Sequence, residues 1–492
     1  MNTPNNTHRV THERAWPLYG SVATRAIEQA AQGTQPDPAL MQRAGLAVAQ
    51  LALALAPHAQ QIWVACGPGN NGGDGLAAAA HLQRWGKKPV VTWLGTPEHA
   101  SADTRQAWQQ AHDAGVTFST VPPIDADLVI DALLGLGCDR PPQGQMAQWL
   151  TQMHLSALPV LHVDLPSGLH ADTGVWYGHP ADIGVCQHHT LSLLTLKPGL
   201  FTAHGRDAAG VLWFDDLGVS APELPPNAWC QPAQGNEPAR WPSSHKGSHG
   251  DVVVVGGAKG MTGAAILAGM AALHGGAGRV YAALLDGTAH AAVSAQHPAL
   301  MVRYWQDMDL RHSTVVCGCG GGTDIRVALP TVLSNAARLV LDADALNAVA
   351  GDSTLRTLLQ QRATRGHPTV LTPHPLEAAR LLEQTVGAVQ DNRQQAVQEL
   401  AHRFQCVAVL KGSGTLIAAP DTTTVINPSG NANLATAGTG DVLAGLMGAR
   451  IACAASVFEA ACQAVARHGW TADHWPASGP RLDAAQLAHA LR

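Results

Sequence analysis

The sequence predicts an α/β protein with two domains, each built on a mostly parallel sheet that helices cover on both faces. Short apolar runs alternate with helical patterns through both halves of the 492-residue chain, and six prolines fall between residues 222 and 242. Strands that alternate with helices favour parallel sheets. Hydrophobic residues make up 46% of the chain and charged residues 13%, which is enough apolar material for large cores.

The proline cluster predicts the domain boundary, because proline interrupts regular elements and favours extended backbone. We expect a first domain over residues 1–218, a linker over 219–245 and a second domain over 246–492. Two domains agree with the length, since domains commonly contain roughly 150 residues and often more.

Composition and charge exclude several classes of protein. The formal net charge is −6, whereas proteins that bind nucleic acid are usually basic. The amino-terminal segment has no apolar core of a secretory signal, and no apolar stretch is long enough for a membrane span. Nine scattered cysteines without a C-x-x-C motif indicate reduced thiols. We therefore expect a cytoplasmic protein with neither a nucleic-acid nor a membrane partner.

In the first half, a glycine-rich turn follows the earliest predicted strand. Apolar runs at 60–66, 88–94, 127–134 and 159–166 predict strands, and 40–56 and 101–114 predict helices. Gly67, Gly69 and Gly72 match G-x-G-x-x-G, but the next strand ends without the acid that holds an adenosine ribose. Ordinary dinucleotide binding is therefore disfavoured. The adjacent Asn70 and Asn71 suit close contact with a ligand.

Charged residues also end three predicted strands of this half. Asp131 and Asp164 each end an apolar run, and Lys197 follows TLSLLTL. Alone, each Asp could be a helix cap, as could Asp74 in the glycine turn, and the Lys could be a solvated strand end. Together with the asparagines, the carboxylates predict a site for a cation or a sugar hydroxyl. Lys197 could serve as a proton-transfer partner.

Four motifs of this half resemble the NAD(P)H-hydrate epimerase family: 66-CGPGNNGGDG-75, 130-IDALLGLG-137, 163-VDLPSGLHADTG-174 and 195-TLKPG-199. The resemblance implies a Rossmann-like α/β/α fold and interconversion of the R and S forms of NAD(P)H hydrated at C6 of the nicotinamide ring. It also implies a potassium ion held by Asn71, Asp131 and Ser167. Asp164 is the implied acid–base residue, with Lys197 as the second candidate. The implied contacts to the hydrated nucleotide are Asn70, Asn71, Gly72, Gly73, Asp74, Gly135, Leu136, Gly137, Cys138, Asp139, Arg140, Pro141 and Asp164.

The second half is also predicted to alternate strands and helices, and it contains a turn suited to binding an anion. Apolar runs at 251–257, 279–285, 313–318, 337–346, 369–374 and 407–412 predict strands. Neither a P-loop nor a G-x-S-x-G motif is present in the sequence. Instead, GTGD at 438–441 precedes a helical pattern, and free amides at a helix start bind anions. Asp441 could take a proton from an attacking hydroxyl, or it could only cap the helix.

Motifs across this half resemble the ADP- or ATP-dependent NAD(P)H-hydrate dehydratase family of the ribokinase-like superfamily: 246-KGSHGDVVVVGGAKGMTGAA-265, 341-LDADALN-347, TPHP, LKGSGT and GTGD. The resemblance implies phosphorylation of the C6 hydroxyl of the S-hydrate, followed by loss of phosphate. Asp441 is the implied catalytic residue. The implied nucleotide contacts are Lys411, Gly412, Ser413, Gly414, Thr415, Gly438, Thr439 and Gly440, and the implied hydrate contacts are Ala264, Ala265, Gly320, His374 and Asp441.

One segment departs from the dehydratase pattern. Where that family commonly has G-P-G-L-G, this chain has a cysteine among glycines, at 318-GCGGG-322. Cys319 therefore puts the local loop geometry in question. We expect ADP rather than ATP as the phosphate donor, with AMP and phosphate formed, and Mg²⁺ accompanying the nucleotide.

The leading hypothesis is a bifunctional repair enzyme that acts on NADHX and NADPHX, in which one domain makes the stereoisomer that the other consumes. We also expect a homo-oligomer. One alternative is a ribokinase-like vitamin or sugar kinase with a nucleotide-binding regulatory domain at its amino terminus. A second alternative is that the first half is a non-catalytic nucleotide-binding module.

Overall fold

The computed structural model describes residues 6–34, 39–178, 187–219, 223–232 and 242–491. The chain divides into two compact units, Met1–Thr11 with Trp16–Ala228 and His12–Ala15 with Trp229–Arg492. The predicted linker, 219–245, lies partly outside the described residues, at 220–222 and 233–241, and its residues 228–230 form a strand. The eight cysteines of the described ranges form no disulfide, and Cys186 lies outside those ranges.

The chain through Cys230 alternates strands and helices in the predicted manner. Its strands are β1 (His8–Arg9), β2 (Trp16–Leu18), β3 (Gln61–Cys66), β4 (Lys88–Trp93), β5 (Thr117–Phe118), β6 (Leu128–Ala132), β7 (Val160–Val163), β8 (His188–Leu193), β9 (Val211–Asp215) and β10 (Ala228–Cys230). Its helices are α1 (Ser21–Thr34), α2 (Leu40–Leu55), α3 (Asn70–Arg84), α4 (Ala102–Asp113), α5 (Gly144–Leu155) and α6 (Gly205–Ala208).

The sheet of the first unit is parallel except at one edge. Its order is β1-β9-β8-β7-β6-β3-β4-β5, and β1 pairs antiparallel with β9, whereas β3, β6, β7 and β8 pair in parallel. The carboxyl ends of these four strands therefore lie on one edge, where α/β proteins bind ligands. That edge carries the glycine turn, Asp131, Asp164 and Lys197.

Close packing of α3 against its surroundings explains part of the glycine turn. A Cβ at Gly72 would lie 2.0 Å from the carbonyl oxygen of Gly67, and one at Gly73 would lie 2.6 Å from the sulfur of Met41. Real Cβ atoms do not approach a backbone atom so closely, so Gly72 requires glycine, whereas a side chain at Gly73 would require Met41 to move. Gly72 brings the start of α3 close to the end of β3, and Asn70 and Asn71 are thereby held at the edge of the sheet.

The chain from Asp251 onward repeats the alternation. Its strands are β11 (Asp251–Gly256), β12 (Arg279–Leu284), β13 (Met301–Tyr304), β14 (Thr314–Cys317), β15 (Arg338–Leu341), β16 (Thr369–Leu371), β17 (Val407–Leu410), β18 (Leu416–Ala418) and β19 (Thr424–Ile426). Its helices are α7 (Thr262–His274), α8 (His290–Gln296), α9 (Ile325–Asn335), α10 (Ala343–Ala350), α11 (Ser353–Thr364), α12 (Pro375–Leu382), α13 (Val386–Asp391), α14 (Arg393–Phe404), α15 (Thr439–Ala452), α16 (Val457–Asp473) and α17 (Ala484–Ala490).

The second sheet runs β13-β12-β11-β14-β15-β16-β17-β18-β19 across these residues. The pairs from β13 to β17 are parallel, and β17 to β19 form an antiparallel end. Helices α7 and α15 cover one face of the sheet, with buried Ala268 and Leu446 in a core that also contains Val254 and Val316. Among the described residues, no helix combines the length and the hydropathy needed to span a membrane.

Candidate active sites

A cavity of about 390 Å³ opens at the carboxyl edge of the first sheet. It collects eight of the residues that the sequence predicts to contact a ligand or act in catalysis: Asn70, Asn71, Asp74, Gly135, Leu136, Gly137, Asp164 and Lys197. These residues come from α3, from the loop after β6 and from the segments after β7 and β8. The parallel topology therefore brings together side chains that are more than a hundred residues apart.

The centre of this cavity is a buried ion pair between Asp164 and Lys197. The Lys197 ammonium also donates to the carbonyl oxygens of Leu193 and Thr195, at 2.8 and 2.9 Å. The backbone N–H of Leu193 donates to Oδ1 of Asp164 at 3.1 Å. Burial lowers the pKa of Lys197, and the charge of Asp164 opposes this effect. Asp164 has a φ of 66°, a left-handed conformation that Asp tolerates better than most residues.

Behind the cavity, Asp131 and Ser167 bond to each other. The Ser167 hydroxyl donates to Oδ1 of Asp131 at 2.7 Å, and the Ser167 N–H donates to Oδ2 at 3.0 Å. His162 Nδ1 lies 2.8 Å from the same Oδ2. Burial favours a neutral carboxyl, but the hydrogen bonds from His162 and Ser167 hold the pKa of Asp131 below its ordinary value. No local sequence pattern predicts a role for His162, which lies inside an apolar strand.

The third predicted potassium ligand, Asn71, lies in the first turn of α3 and approaches the loop that follows β6. The N–H of Leu134 donates to the Ser167 hydroxyl at 2.8 Å. A Cβ at Gly135 would lie 3.1 Å from Oδ1 of Asn71. The side-chain nitrogen of Asn71 is buried and has no hydrogen-bond partner among the residues that the structure describes. Because buried polar atoms are rarely left unpaired, this amide is available to a ligand in the cavity.

The remaining residues of the first unit that are predicted to contact the hydrate lie outside the cavity lining. Gly72 and Gly73 are in packing contacts, as described above, and do not line the cavity. Cys138 is buried, and burial raises the pKa of its thiol to about 11. Asp139, Arg140 and Pro141 are exposed and also lie outside the cavity lining. Asp74 is not the cap of α3, since Gly69 occupies the N-cap position.

In the second unit, Asp441 lies in a cluster with two other side chains. The Cys319 sulfur and one carboxylate oxygen each of Asp342 and Asp441 lie within 4.8 Å of one another. Burial, with the nearby charge of Asp342, raises the pKa of Asp441 to about 6. The Cys319 thiol is completely buried, and burial raises its pKa well above the ordinary value. Asp441 is thus suited to accept a proton near neutral pH, while Cys319 is not a reactive thiolate.

The start of α15 presents free amides beside Asp441. Gly438 is the N-cap, with a φ of 89°, so Asp441 is in the first turn and does not cap the helix. Within the described residues, the N–H groups of Gly440 and Asp441 have no backbone acceptor. The Lys411 ammonium lies 3.5 Å from the position of a Cβ on Gly440. Two free amides, a helix start and a lysine form an anion-binding arrangement.

Lys411 is held in place by contacts that the sequence did not reveal. Its ammonium donates to Oδ1 of Asp342 at 2.6 Å, and Thr372 donates to the same oxygen at 2.8 Å. The buried guanidinium of Arg393 donates to the carbonyl oxygen of Lys411 at 3.2 Å. Arg393 also approaches Gly412, whose φ of 133° requires glycine. Arg393 lies in a polar helical segment, where sequence alone gives no reason to expect burial.

The residues of the second unit that are predicted to contact the hydrate differ in their surroundings. Gly320 lies against Ala264, since a Cβ on Gly320 would be 2.8 Å from that of Ala264. Ala265 is completely buried and belongs to the hydrophobic core. His374 is the N-cap of α12, and its Nδ1 accepts from the N–H groups of Leu376 and Glu377. The His374 side chain is about half-exposed, which leaves room for a ligand.

Comparison with known proteins decides the family. Residues 252–491 match the profile described as NAD(P)H-hydrate dehydratase, and residues 38–199 match the YjeF-related protein N-terminus. The chain is 37% identical over 453 residues to the bifunctional NAD(P)H-hydrate repair enzyme Nnr of Escherichia coli (strain K12), covering 88% of this chain and 84% of that protein.

The chain belongs to the family of bifunctional NAD(P)H-hydrate repair enzymes. The Nnr protein of Moorella thermoacetica is 34% identical, with 84% of this chain and 83% of that protein covered. A solved ADP/ATP-dependent NAD(P)H-hydrate dehydratase from Bacillus subtilis is 31% identical over 52% of this chain and 91% of its own, with a TM-score of 0.45. Membership of this repair-enzyme family confirms the predicted two-domain α/β class, Rossmann-like and then ribokinase-like.

The repair-enzyme sites also include residues that sequence reasoning missed. Arg25, Glu28 and Asp103 line the cavity of the first unit, and Asp342 joins the cluster around Asp441. Asp342 follows an apolar strand, so the rule that identified Asp131 and Asp164 could have found it. Glu28 and Asp103 lie on helices without a motif, and only the tertiary structure places them.

Replacement of Lys197 by Met is expected to destabilise the first unit by about 3–5 kcal/mol, because it leaves the Asp164 charge buried without its partner. Urea unfolding followed by circular dichroism measures the change in the unfolding midpoint. The matched control is Lys88→Met, at an exposed strand position, for which we expect a change within about 0.5 kcal/mol. Equal midpoints for the two variants would contradict a structural role for the ion pair.

Proposed function

We propose that this protein repairs hydrated nicotinamide nucleotides, with the first unit interconverting R- and S-NAD(P)HX and the second dehydrating S-NAD(P)HX at the expense of ADP. The observation that supports it most directly is Asp441 in the first turn of α15, beside free amides and Lys411. This arrangement suits phosphoryl transfer to a hydroxyl. The relatives named above are bifunctional repair enzymes across both units.

The dehydration is proposed in two steps. Asp441 accepts the proton of the C6 hydroxyl as that oxygen attacks the terminal phosphoryl group of ADP, and AMP leaves. The amides of Gly440 and Asp441, with Lys411, stabilise the charge on the transferring group. The C6–O bond then breaks and the C5 proton is lost, which releases phosphate and restores NAD(P)H. Phosphate leaves readily, whereas hydroxide is a poor leaving group.

The epimerase site is proposed to be the cavity with Asp164 and Lys197. Asn70, Asn71 and Gly135–Gly137 would contact the hydrated nucleotide, since all five residues line the cavity. Asp164 is the proposed acid–base residue. Lys197 holds its Oδ1, and Oδ2 lies toward Gly135 and accepts no hydrogen bond from the described residues.

The residues that the family pattern assigns to potassium have side chains that can bind this ion. The side chains of Asn71, Asp131 and Ser167 offer only oxygen ligands to a cation, and oxygen is what hard cations prefer. All three approach the segment Leu133–Gly135: the N–H groups of Leu133 and Leu134 donate to Asp131 and Ser167, and Oδ1 of Asn71 lies toward Gly135. A bound potassium ion would supply positive charge beside the substrate. In the second unit, Mg²⁺ would be carried by the nucleotide phosphates, and Asp342 is a carboxylate within the same cluster.

The proposed function is tested by adding a mixture of R- and S-NADHX to the purified full-length protein with ADP and Mg²⁺. We expect the dihydronicotinamide absorbance to return for both epimers, and faster with ADP than with ATP. Recovery of the S form alone would contradict the epimerase proposal. Recovery of neither, with a stable phosphorylated product from a hydroxymethyl substrate, would favour the kinase alternative. A cytoplasmic location and a homo-oligomer remain predictions.

Asp441→Asn is expected to lower kcat for dehydration by about 100-fold or more, because the attacking hydroxyl loses its proton acceptor. In the native protein, dehydration should decline as the pH falls below about 6, where Asp441 becomes protonated. The half-exposed Asp352 of the same unit gives the control Asp352→Asn, which keeps a helix-capping side chain and should leave kcat within about twofold. Loss of less than tenfold in Asp441→Asn would show that Asp441 is not the acceptor.

Potassium is expected to accelerate epimerisation and to raise the midpoint of thermal unfolding of the first unit, since a ligand that binds only the folded state stabilises it. The measurement compares potassium with tetramethylammonium at equal ionic strength. Ser167→Ala should weaken both effects, because it removes one oxygen ligand and a hydrogen bond to Asp131. Equal rates and equal midpoints in the two salts would contradict the proposed ligands.

A further inference from the structure

The cavity of the first unit contains an excess of carboxyl groups. Six ionisable side chains line it, four acidic and two basic: Glu28, Asp74, Asp103, Asp164, Arg25 and Lys197. Among the described residues, Asp164 is the one acid of the four that forms an ion pair. The other three carboxyl groups therefore face a confined space without a direct charge partner.

Asp74 is placed to act on a molecule in this cavity. It lies one helical turn beyond Asn70 and Asn71 on α3, so all three side chains share the face of the helix that lines the cavity. Its carboxyl group accepts no hydrogen bond from the described part of the chain. Burial raises the pKa of Asp74 well above its ordinary value, and the charges of Asp164 and Glu28 act in the same direction.

The two aspartates of the cavity therefore have different surroundings. The Lys197 ammonium and the Leu193 N–H both donate to Oδ1 of Asp164. Asp74 accepts no hydrogen bond from the described residues that would stabilise a negative charge, and its burial favours the protonated form. A pair of carboxyl groups in opposite protonation states is the arrangement that general acid and general base catalysis require.

Inversion at C6 of the hydrated ring calls for such a pair. The hydroxyl must leave one face of the ring and an oxygen must arrive at the other. One protein group must protonate the leaving oxygen, and a second must deprotonate the arriving water. A single carboxylate does not serve both faces of a bound ring at once. Asp74 and Asp164 come from two separate elements, the helix α3 and the segment after β7.

We propose that Asp74 is a second catalytic residue of the epimerase site, the general acid that acts opposite Asp164 as the general base. This inference rests on the proposed epimerase function and extends it. Asp74 gives its proton to the C6 hydroxyl, the C6–O bond breaks, and water departs as the lone pair of N1 forms a double bond to C6. Asp164 takes a proton from a second water while that water forms the new C6–O bond. Asp74 ends ionised and Asp164 protonated, which is the state that carries out the reverse conversion.

Of the unpaired acids, Asp74 fits this role better than Glu28 or Asp103. Glu28, on α1, is less deeply buried, and the charge of Arg25 as well as that of Lys197 opposes the rise of its pKa. Asp103 is half-exposed on α4. Asp74 also shares its helix turn with the asparagines proposed to contact the hydrate. Glu28 is the competing candidate, and the test includes it.

The experiment uses full-length protein without nucleotide, so that the second unit cannot remove the S form. Pure S-NADHX is supplied in water enriched in oxygen-18, and chromatography with mass spectrometry follows both the R form and the label at C6. A protein-free sample corrects for spontaneous exchange. The variants are Asp74→Asn, Asp74→Glu, Glu28→Gln and Asp113→Asn, the last at an exposed position of α4. Binding of S-NADHX to each variant is measured separately.

We expect each native conversion to carry one solvent oxygen into the C6 hydroxyl. Asp74→Asn should lower kcat and label incorporation together by about 100-fold or more, while binding changes by less than about threefold. Asp74→Glu should restore part of the rate, and Asp113→Asn should match the native protein. Epimerisation without label, a loss of less than fivefold in Asp74→Asn, or a larger loss in Glu28→Gln would overturn the assignment. Failure of the native protein to exceed the protein-free sample would instead refute the proposed epimerase function.

Discussion

Parallel strand pairing is the constraint on which both candidate sites depend. When strands run in the same direction, all their carboxyl ends lie on one edge of the sheet, and each is followed by a loop rather than a tight hairpin. In the first unit, this brings Asn71, Asp164 and Lys197 to one cavity, although they follow three different strands, and Asp131 lies at the end of a fourth. In the second unit, it does the same for Cys319, Asp342 and Lys411. Neither site could form from one contiguous segment.

Burial of charge is the second feature that the two units share. Lys197 is completely buried with Asp164, and Lys411 contacts a nearly buried Asp342. Lys197 also donates to two carbonyl oxygens, and Thr372 donates to Asp342, which offsets part of the cost of removing the charges from water. A second carboxyl group lies beside each pair, Asp74 or Asp441, and burial raises its pKa. The fold thus provides a proton-transfer group next to a fixed charge in both units.

Glycine has different roles at positions that look alike in the sequence. Gly72 and Gly73 allow α3 to approach its neighbours, whereas Gly438 adopts a left-handed conformation that starts α15. The resemblance assigned the first two to substrate contact, and the cavity lining does not include them. Cys319, the departure from the dehydratase pattern, fits among its glycines as a fully buried thiol beside Asp441. A cysteine is tolerated there because it is small and remains neutral.

The sequence by itself determined the fold class, the strands that carry the sites and most of the residues that end those strands. Apolar runs and glycine turns are local patterns, and Asp131, Asp164 and Asp441 could be recognised because each stands at such a boundary. The tertiary structure alone placed Glu28, Asp103, His162 and Arg393, which lie within helices or strands and carry no local signal. It also raised the pKa of Asp74, through burial and through the charges of Asp164 and Glu28, which are distant in sequence. Protonation is set by burial and by nearby charge, and both exist only after the chain has folded.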